Sequence, residues 1–146
     1  MKIAIASDHR GYKLKQEIIE NLQKEYQIID LGTNSEESVD FPKYGIALGE
    51  VIKNKKADLG IAICGTGIGI SIAVNKVKGV MCAKISNIEE AKLAKEHNNA
   101  NVIALSGKTP KEEALKMIEE FIKSTPNKEE KYQRIINQIK EYENAS

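Results

Sequence analysis

At 146 residues, with 41% apolar and 29% charged side chains and a formal net charge of +1, the chain has the size and make-up of one globular domain able to bury a core. A charge balance this close to neutral argues against nucleic-acid and anionic-membrane partners, which select a basic excess, and an aromatic content of 5% without Trp offers no base-stacking platform. No stretch approaches the roughly 20 apolar residues of a membrane span and the chain runs from Met1 straight into a strand pattern, so a cytoplasmic location is expected.

Lys2–Ala6 is a short apolar run that delivers the polar loop Ser7-Asp8-His9-Arg10-Gly11, the pattern of a buried strand followed by a turn. Leu14, Ile18 and Leu22 recur every four residues among Lys, Glu and Gln, which predicts an amphipathic helix. A second strand is expected over Gln27–Leu31, broken by Gly32, with a polar loop from Thr33 to Asp40. Pro42 opens the next helix, whose apolar face holds Tyr44, Leu48, Val51 and Ile52. Leu59–Ile63 reads as a third strand, Ile68–Val74 as a helix, Gly79–Ala83 as a fourth strand and Ile88–His97 as a helix with Ala91 and Ala94 inward. Asn98-Asn99-Ala100-Asn101 turns into a fifth strand, Val102–Leu105, and Pro110 starts a helix with Ala114, Leu115, Ile118 and Ile122 apolar.

Strands alternating with helices define an α/β chain with a five-stranded parallel sheet and helices on both faces. Ligands in such sheets bind beyond the carboxyl ends of the strands, where three polar clusters fall: Ser7 to Arg10, the Cys64 to Gly69 loop, and Ser106-Gly107-Lys108. Residues 127–142 form a charged C-terminal helix with Tyr132, Ile135, Ile136, Ile139 and Tyr142 as its apolar positions. The five-stranded unit of this single domain, residues 1–146, is complete without that helix, which can cap its own domain but is expected to pack on a partner subunit.

Ile61-Ala62-Ile63-Cys64-Gly65-Thr66-Gly67-Ile68-Gly69-Ile70-Ser71 joins a strand to a helix through three glycines spaced two apart, with a thiol at the strand end. Glycines let the backbone approach a ligand, and the first N–H groups of the following helix lack internal partners. Those donors and the positive end of the helix dipole favour an anion and the thiolate form of Cys64. The alternative is a cysteine packed as a small apolar residue, beside glycines that merely shape a turn. Two nucleotide motifs fit poorly. A P-loop needs Gly-Lys-Ser/Thr where this chain has Gly69-Ile70-Ser71, and a dinucleotide fingerprint needs GxGxxG and an acidic residue after the next strand, where Lys84 stands.

The chain has two histidines, and both are expected in loops near the site: His9 directly after the first strand, and His97 at a helix end before Asn98. Each has a structural alternative, His9 as a turn-forming residue and His97 as a helix C-terminal cation. Cys64, Cys82 and the histidines show no close ligand spacing, so no metal is expected. A thiolate base, oxyanion donors and a histidine acid are what proton abstraction beside a carbonyl needs, which is the chemistry of aldose–ketose isomerisation.

Ala6-Ser7-Asp8-His9, Asp40-Phe41-Pro42, the run from Ile63 to Ala73 with Asn75-Lys76, and Glu96-His97-Asn98-Asn99-Ala100-Asn101 resemble the sugar-phosphate isomerases of the ribose-5-phosphate isomerase B family, which includes galactose-6-phosphate isomerase subunits. The resemblance runs from Lys2 to about Ile122. It implies a Rossmann-like three-layer fold, no metal or cofactor, and a homodimer or dimer of dimers whose sites draw on both subunits. Carried onto these residues, Cys64 moves a proton between C1 and C2 of a sugar phosphate, and the Gly65, Thr66, Gly67, Ile68 and Gly69 amides hold the enediolate. Thr66 and His97 assist opening of the furanose ring, while Asp8, His9 and Asn98 contact sugar hydroxyls or the phosphate.

The sequence departs from the family at its basic positions. Arg10 follows Asp8-His9 where a small residue is usual, Lys108 replaces an arginine, and Lys131 and Arg134 are the substitutes for an arginine pair in the last helix. Phe41 stands where a tyrosine is common. The expected reaction is the interconversion of ribose 5-phosphate and ribulose 5-phosphate. A six-carbon substrate such as allose or galactose 6-phosphate, or a non-catalytic sugar-phosphate-binding module, is the alternative. A response-regulator-like domain shares the alternating pattern but wants an acidic cluster at strand ends, for which only Asp8 and Asp30 are near.

Overall fold

The computed structural model describes residues 1–145. Its elements follow one another as β1 (Lys2–Ser7), α1 (Tyr12–Leu22), β2 (Gln27–Asp30), α2 (Phe41–Lys53), β3 (Leu59–Cys64), α3 (Ile68–Asn75), β4 (Cys82–Lys84), α4 (Ile88–Glu96), β5 (Val102–Ser106), α5 (Lys111–Lys123) and α6 (Glu130–Asn144). All five strands are parallel, in the order β2-β1-β3-β5-β4. This is the single three-layer, Rossmann-like α/β domain that the alternating pattern implies, with α1, α4 and α5 on one face and α2 and α3 on the other. The order itself is not in that pattern, because β5 inserts between β3 and β4 and leaves β4 at an edge.

Most boundaries fall within one residue of the sequence-based expectation, and the two largest differences have local reasons. The fourth strand begins at Cys82 rather than Gly79, because Gly79 has a φ of +87° and Val80 N–H closes a turn onto Val77 O at 3.3 Å. The last helix begins at Glu130 rather than residue 127, because Asn127 Oδ1 accepts from Glu129 N–H at 2.9 Å and holds the link in a turn.

Alternation along each central strand sorts side chains by size. Ile3, Ile5, Ile61, Ile63, Ile103 and Leu105 face α1, α4 and α5, whereas Ala4, Ala6, Ala62, Cys64 and Ala104 face α2 and α3. The thin second face lets α2 and α3 lie close to the sheet and to each other. Gly45 and Gly49 of α2 make the approach possible, since a Cβ on Gly49 would lie 2.6 Å from Val77 Cγ2 and one on Gly45 would lie 3.0 Å from Ala73 Cβ. On the opposite face Lys15 is buried, with Nζ 2.8 Å from Asp30 Oδ1 and its charge beside the Tyr12 ring.

Gly49→Ala is expected to destabilise the fold by about 1–3 kcal/mol through overpacking. Urea unfolding of Gly49→Ala, Val77→Ala and the double variant checks this, and the double variant is expected to recover part of the loss.

Candidate active site

The registers Ser7↔Ile63 and Cys64↔Ser106 bring the loops after β1, β3 and β5 side by side at the carboxyl edge of the sheet. Cross-links among the loops are mostly backbone bonds. Asp8 N–H donates to Ile63 O at 3.2 Å, Gly107 N–H to Cys64 O at 2.8 Å, and the Ser106 hydroxyl to Gly65 O at 2.8 Å. A cavity of about 340 Å³ opens between them, lined chiefly by Asp8, His9, Arg10, Asp40, Cys64 and Thr66.

Cys64 ends β3 with its side chain on the thin face, 4% exposed at the base of the cavity. Its Sγ accepts a hydrogen bond from Gly67 N–H at 3.2 Å. Gly67 caps α3 with a φ of +81°, and a Cβ there would lie 2.8 Å from the Leu105 carbonyl carbon, so both conformation and space demand glycine. Gly69 is equally constrained, since a Cβ on it would lie 2.6 Å from the Phe41 ring.

The sequence suggested five amides, from Gly65 to Gly69, as one anion cradle. Two of them are already committed within the chain: Gly67 N–H to the sulfur and Ile68 N–H to Thr66 Oγ1 at 3.1 Å. Among the described residues, the Gly69 and Ile70 N–H groups of the first turn have no acceptor, which makes them the helix donors open to an anion.

Asp8 and His9 are held by local bonds that explain their positions. Asp8 Oδ1 accepts from Arg10 N–H at 2.9 Å and Gly11 N–H at 3.1 Å, so one carboxylate oxygen shapes the turn. His9 Nδ1 accepts from Val39 N–H at 3.1 Å. The same Nδ1 lies 3.2 Å from Val39 O, so Val39 offers this nitrogen a donor or an acceptor according to the ring tautomer. The Val39 loop thus completes the cavity wall; the sequence showed it only as a polar loop without chemistry.

The structure separates the remaining predicted residues into two groups. Lys108 stays on the carboxyl edge, exposed and outside the cavity lining. His97 and Asn98 do not. They follow α4, which runs back antiparallel to the strands, and so lie before β5, at the amino edge. The five residues of β5, spanning about 13 Å, lie between that edge and the level of Cys64. The expectation that both histidines share one edge is therefore wrong for a single chain; loop position was read correctly, but the direction of the preceding helix decides the edge.

Lys131 and Arg134 lie with His97. Asn127 N–H donates to Glu96 O at 2.8 Å, and Tyr132 stacks on the His97 ring with centroids 4.6 Å apart and planes 13° from parallel. Lys131 Nζ sits 4.9 Å from the Tyr132 centroid, and Arg134 pairs with Glu130 at 2.6 Å on the surface. Composition alone could not show this imidazole–phenol stack.

A parallel α/β sheet with a thiol and a helix N-terminus beyond the carboxyl ends of its strands belongs to the class of Rossmann-like ligand-binding folds. Its particular family follows from comparison. A family model described as Ribose/Galactose Isomerase matches residues 3–139, and the chain belongs to that family. Ribose-5-phosphate isomerase B of Mycolicibacterium paratuberculosis is 38% identical over 146 residues, covering 98% of this chain and 92% of its own. The solved ribose-5-phosphate isomerase B of Clostridium thermocellum superposes with a TM-score of 0.95 at 41% identity, covering 99% of both chains. That of Mycoplasma genitalium, solved with bound ribulose-5-phosphate, gives 0.92 at 40% identity, covering 99% of this chain and 97% of its own.

The two cysteines are expected to differ in reactivity. Burial pushes the Cys82 thiol up to about 12, so only about 10⁻⁴ of it is ionised at pH 8. Alkylation of the native protein at pH 8, followed by peptide mass spectrometry, is expected to label Cys64 first and to leave Cys82 unmodified until the protein is denatured.

Proposed function

We propose that the chain interconverts ribose 5-phosphate and ribulose 5-phosphate through a cis-enediolate, with Cys64 as the base. The observation that carries this reading is Cys64 at the base of a cavity beside two open helix amides, in a family whose Mycoplasma genitalium relative was solved with ribulose-5-phosphate. In the proposed step the Cys64 thiolate takes the proton from C2 of the open-chain aldose, the O2 hydroxyl proton passes to O1 within the enediolate, and the Cys64 thiol returns its proton to C1. The charge that develops on the adjacent oxygen is met by the Gly69 and Ile70 N–H groups, with Gly65 and Thr66 amides near it. A positioned base of this kind contributes about 10²–10⁴-fold.

In this reading a second copy of the chain supplies His97 and Asn98. His97 donates the proton that opens the furanose ring, together with Thr66, and Asn98, Asp8 and His9 meet sugar hydroxyls or phosphate. Lys131 and Arg134 of the second copy and Lys108 of the first provide positive charge for the phosphate. Support comes from the apolar side chains left bare near both groups: Ile68 and Ile72 of α3, 56% and 57% exposed, and Ile135 and Ile139 of α6, 44% and 45% exposed. A homodimer, alone or paired into a tetramer, buries both stripes and needs neither metal nor cofactor for this chemistry. We place the enzyme in the cytoplasm, in the pentose phosphate pathway. A six-carbon aldose phosphate is the second substrate reading, motivated by the altered basic positions at Lys108, Lys131 and Arg134.

Cys64→Ala is expected to lower kcat/KM for ribose 5-phosphate by at least about 10²-fold without loss of fold. Wild-type turnover by that variant across ribose, allose and galactose phosphates overturns the mechanism, and a preference for the six-carbon sugars overturns the substrate. Shared sites have their own test. Cys64→Ala and His97→Ala proteins, each inactive, are expected to recover about one quarter of wild-type activity when unfolded, mixed in equal amounts and refolded, because half the dimers are mixed and each holds one intact site. No recovery, with mixed dimers demonstrated by native mass spectrometry, rules out a shared site.

A further inference from the structure

Arg10 is a feature that the proposed chemistry has not used. Its backbone is clamped by two loops: its N–H donates to Asp8 Oδ1 at 2.9 Å, and its carbonyl oxygen lies 2.3 Å from where a Cβ on Gly107 would stand. Its side chain lies across Gly65, with Cδ at 2.9 Å and a guanidinium nitrogen at 3.4 Å from the place of a Gly65 Cβ. A Cβ at 65 would crowd this exposed side chain, which lies over the residue next to Cys64 and lines the same cavity.

Charge gives this placement a purpose. Apart from Arg10, the ionisable side chains of the lining are Asp8, Asp40, His9 and Cys64, which bring no fixed positive charge. Lys108 lies outside the lining, and Lys131 and Arg134 stand at the opposite edge of the sheet. Among the described residues the Arg10 guanidinium forms no ion pair. A phosphate dianion entering this cavity therefore meets two carboxylates and one cation from this chain. A planar fork of N–H donors can take two phosphate oxygens at once, which an ammonium cannot.

We infer that Arg10 is the cavity-lining cation that binds the substrate's phosphoryl group, in addition to the charge assigned to Lys108, Lys131 and Arg134, and that it sets selectivity for phosphorylated sugars. The inference rests on the sugar-phosphate reading above, but inorganic phosphate tests it independently of turnover. Titration of the wild-type protein with inorganic phosphate, followed by NMR of the Gly65 and Gly107 amides, is expected to show saturable binding. Arg10→Ala is expected to weaken that binding about tenfold or more and Arg10→Lys by less, while Lys13→Ala, an exposed lysine on α1 outside the cavity, is expected to leave it unchanged. With ribose 5-phosphate as substrate, the Arg10→Ala loss is expected to fall on KM rather than kcat.

Phosphate affinity unchanged in Arg10→Ala overturns the assignment. So does a fall in kcat at constant KM, which puts the guanidinium at the reacting carbons. Should the wild-type protein isomerise no sugar phosphate yet bind phosphate in an Arg10-dependent way, the isomerase reading fails while this one stands.

Discussion

The close approach of α2 and α3 to a sheet face made of small residues is the constraint on which the site depends. Ala4, Ala6, Ala62, Cys64 and Ala104 leave that face thin, and Gly45 and Gly49 remove the side chains that would hold the helices off. As α2 settles, its first residue, Phe41, lands on Gly69 at the start of α3. As α3 settles, Gly67 wedges against the carbonyl of Leu105 and points its N–H at the Cys64 sulfur. A thicker sheet face would move the helix N-terminus away from the thiol. Packing density and site geometry are here the same quantity, because interiors packed this tightly transmit a shift of one side chain to the next.

The second consequence of the topology is division of labour between two edges. Parallel strands joined by antiparallel helices place every strand-to-helix loop at one edge and every helix-to-strand loop at the other. Cys64, Thr66, Asp8 and His9 lie in loops of the first kind, and His97 and Asn98 in a loop of the second. The α5–α6 link joins the second group through Asn127 and Tyr132, so the terminal helix is tied to His97 rather than to the thiol. The His97 ring stacked on Tyr132 at the far edge takes part in the proposed reaction only if another copy brings it to the cavity, so the proposed dimer and the proposed chemistry are tested together.

Electrostatics sets the remaining balance. The cavity collects two carboxylates and a thiol under one exposed guanidinium. Asp8 Oδ1 accepts from the backbone N–H groups that shape its turn, and the Gly67 N–H at the start of α3 donates to the Cys64 sulfur. Formal positive charge thus lies with Arg10 in the cavity lining and with Lys131 and Arg134 at the opposite edge.

Which elements exist, and that the loops after β1 and β3 are rich in polar and glycine residues, is legible in the sequence. Apolar runs such as Ile61–Ile63, the four-residue repeat of Leu14, Ile18 and Leu22, and the glycines around Thr66 are local signals, and local backbone preferences suffice to read them. The family resemblance was legible for the same reason, since its motifs are short and contiguous. Strand order, the edge on which His97 falls, the amides left open beside Cys64 and the seat of Arg10 on Gly65 were decided only by the tertiary structure. Each depends on segments distant in sequence: β5 slotting beside β3, α4 reversing direction, Thr66 Oγ1 and the Cys64 sulfur taking two N–H groups, and Gly65 and Gly107 meeting Arg10 across two loops. Periodicity records which face of an element is buried, but it does not record what that face is buried against.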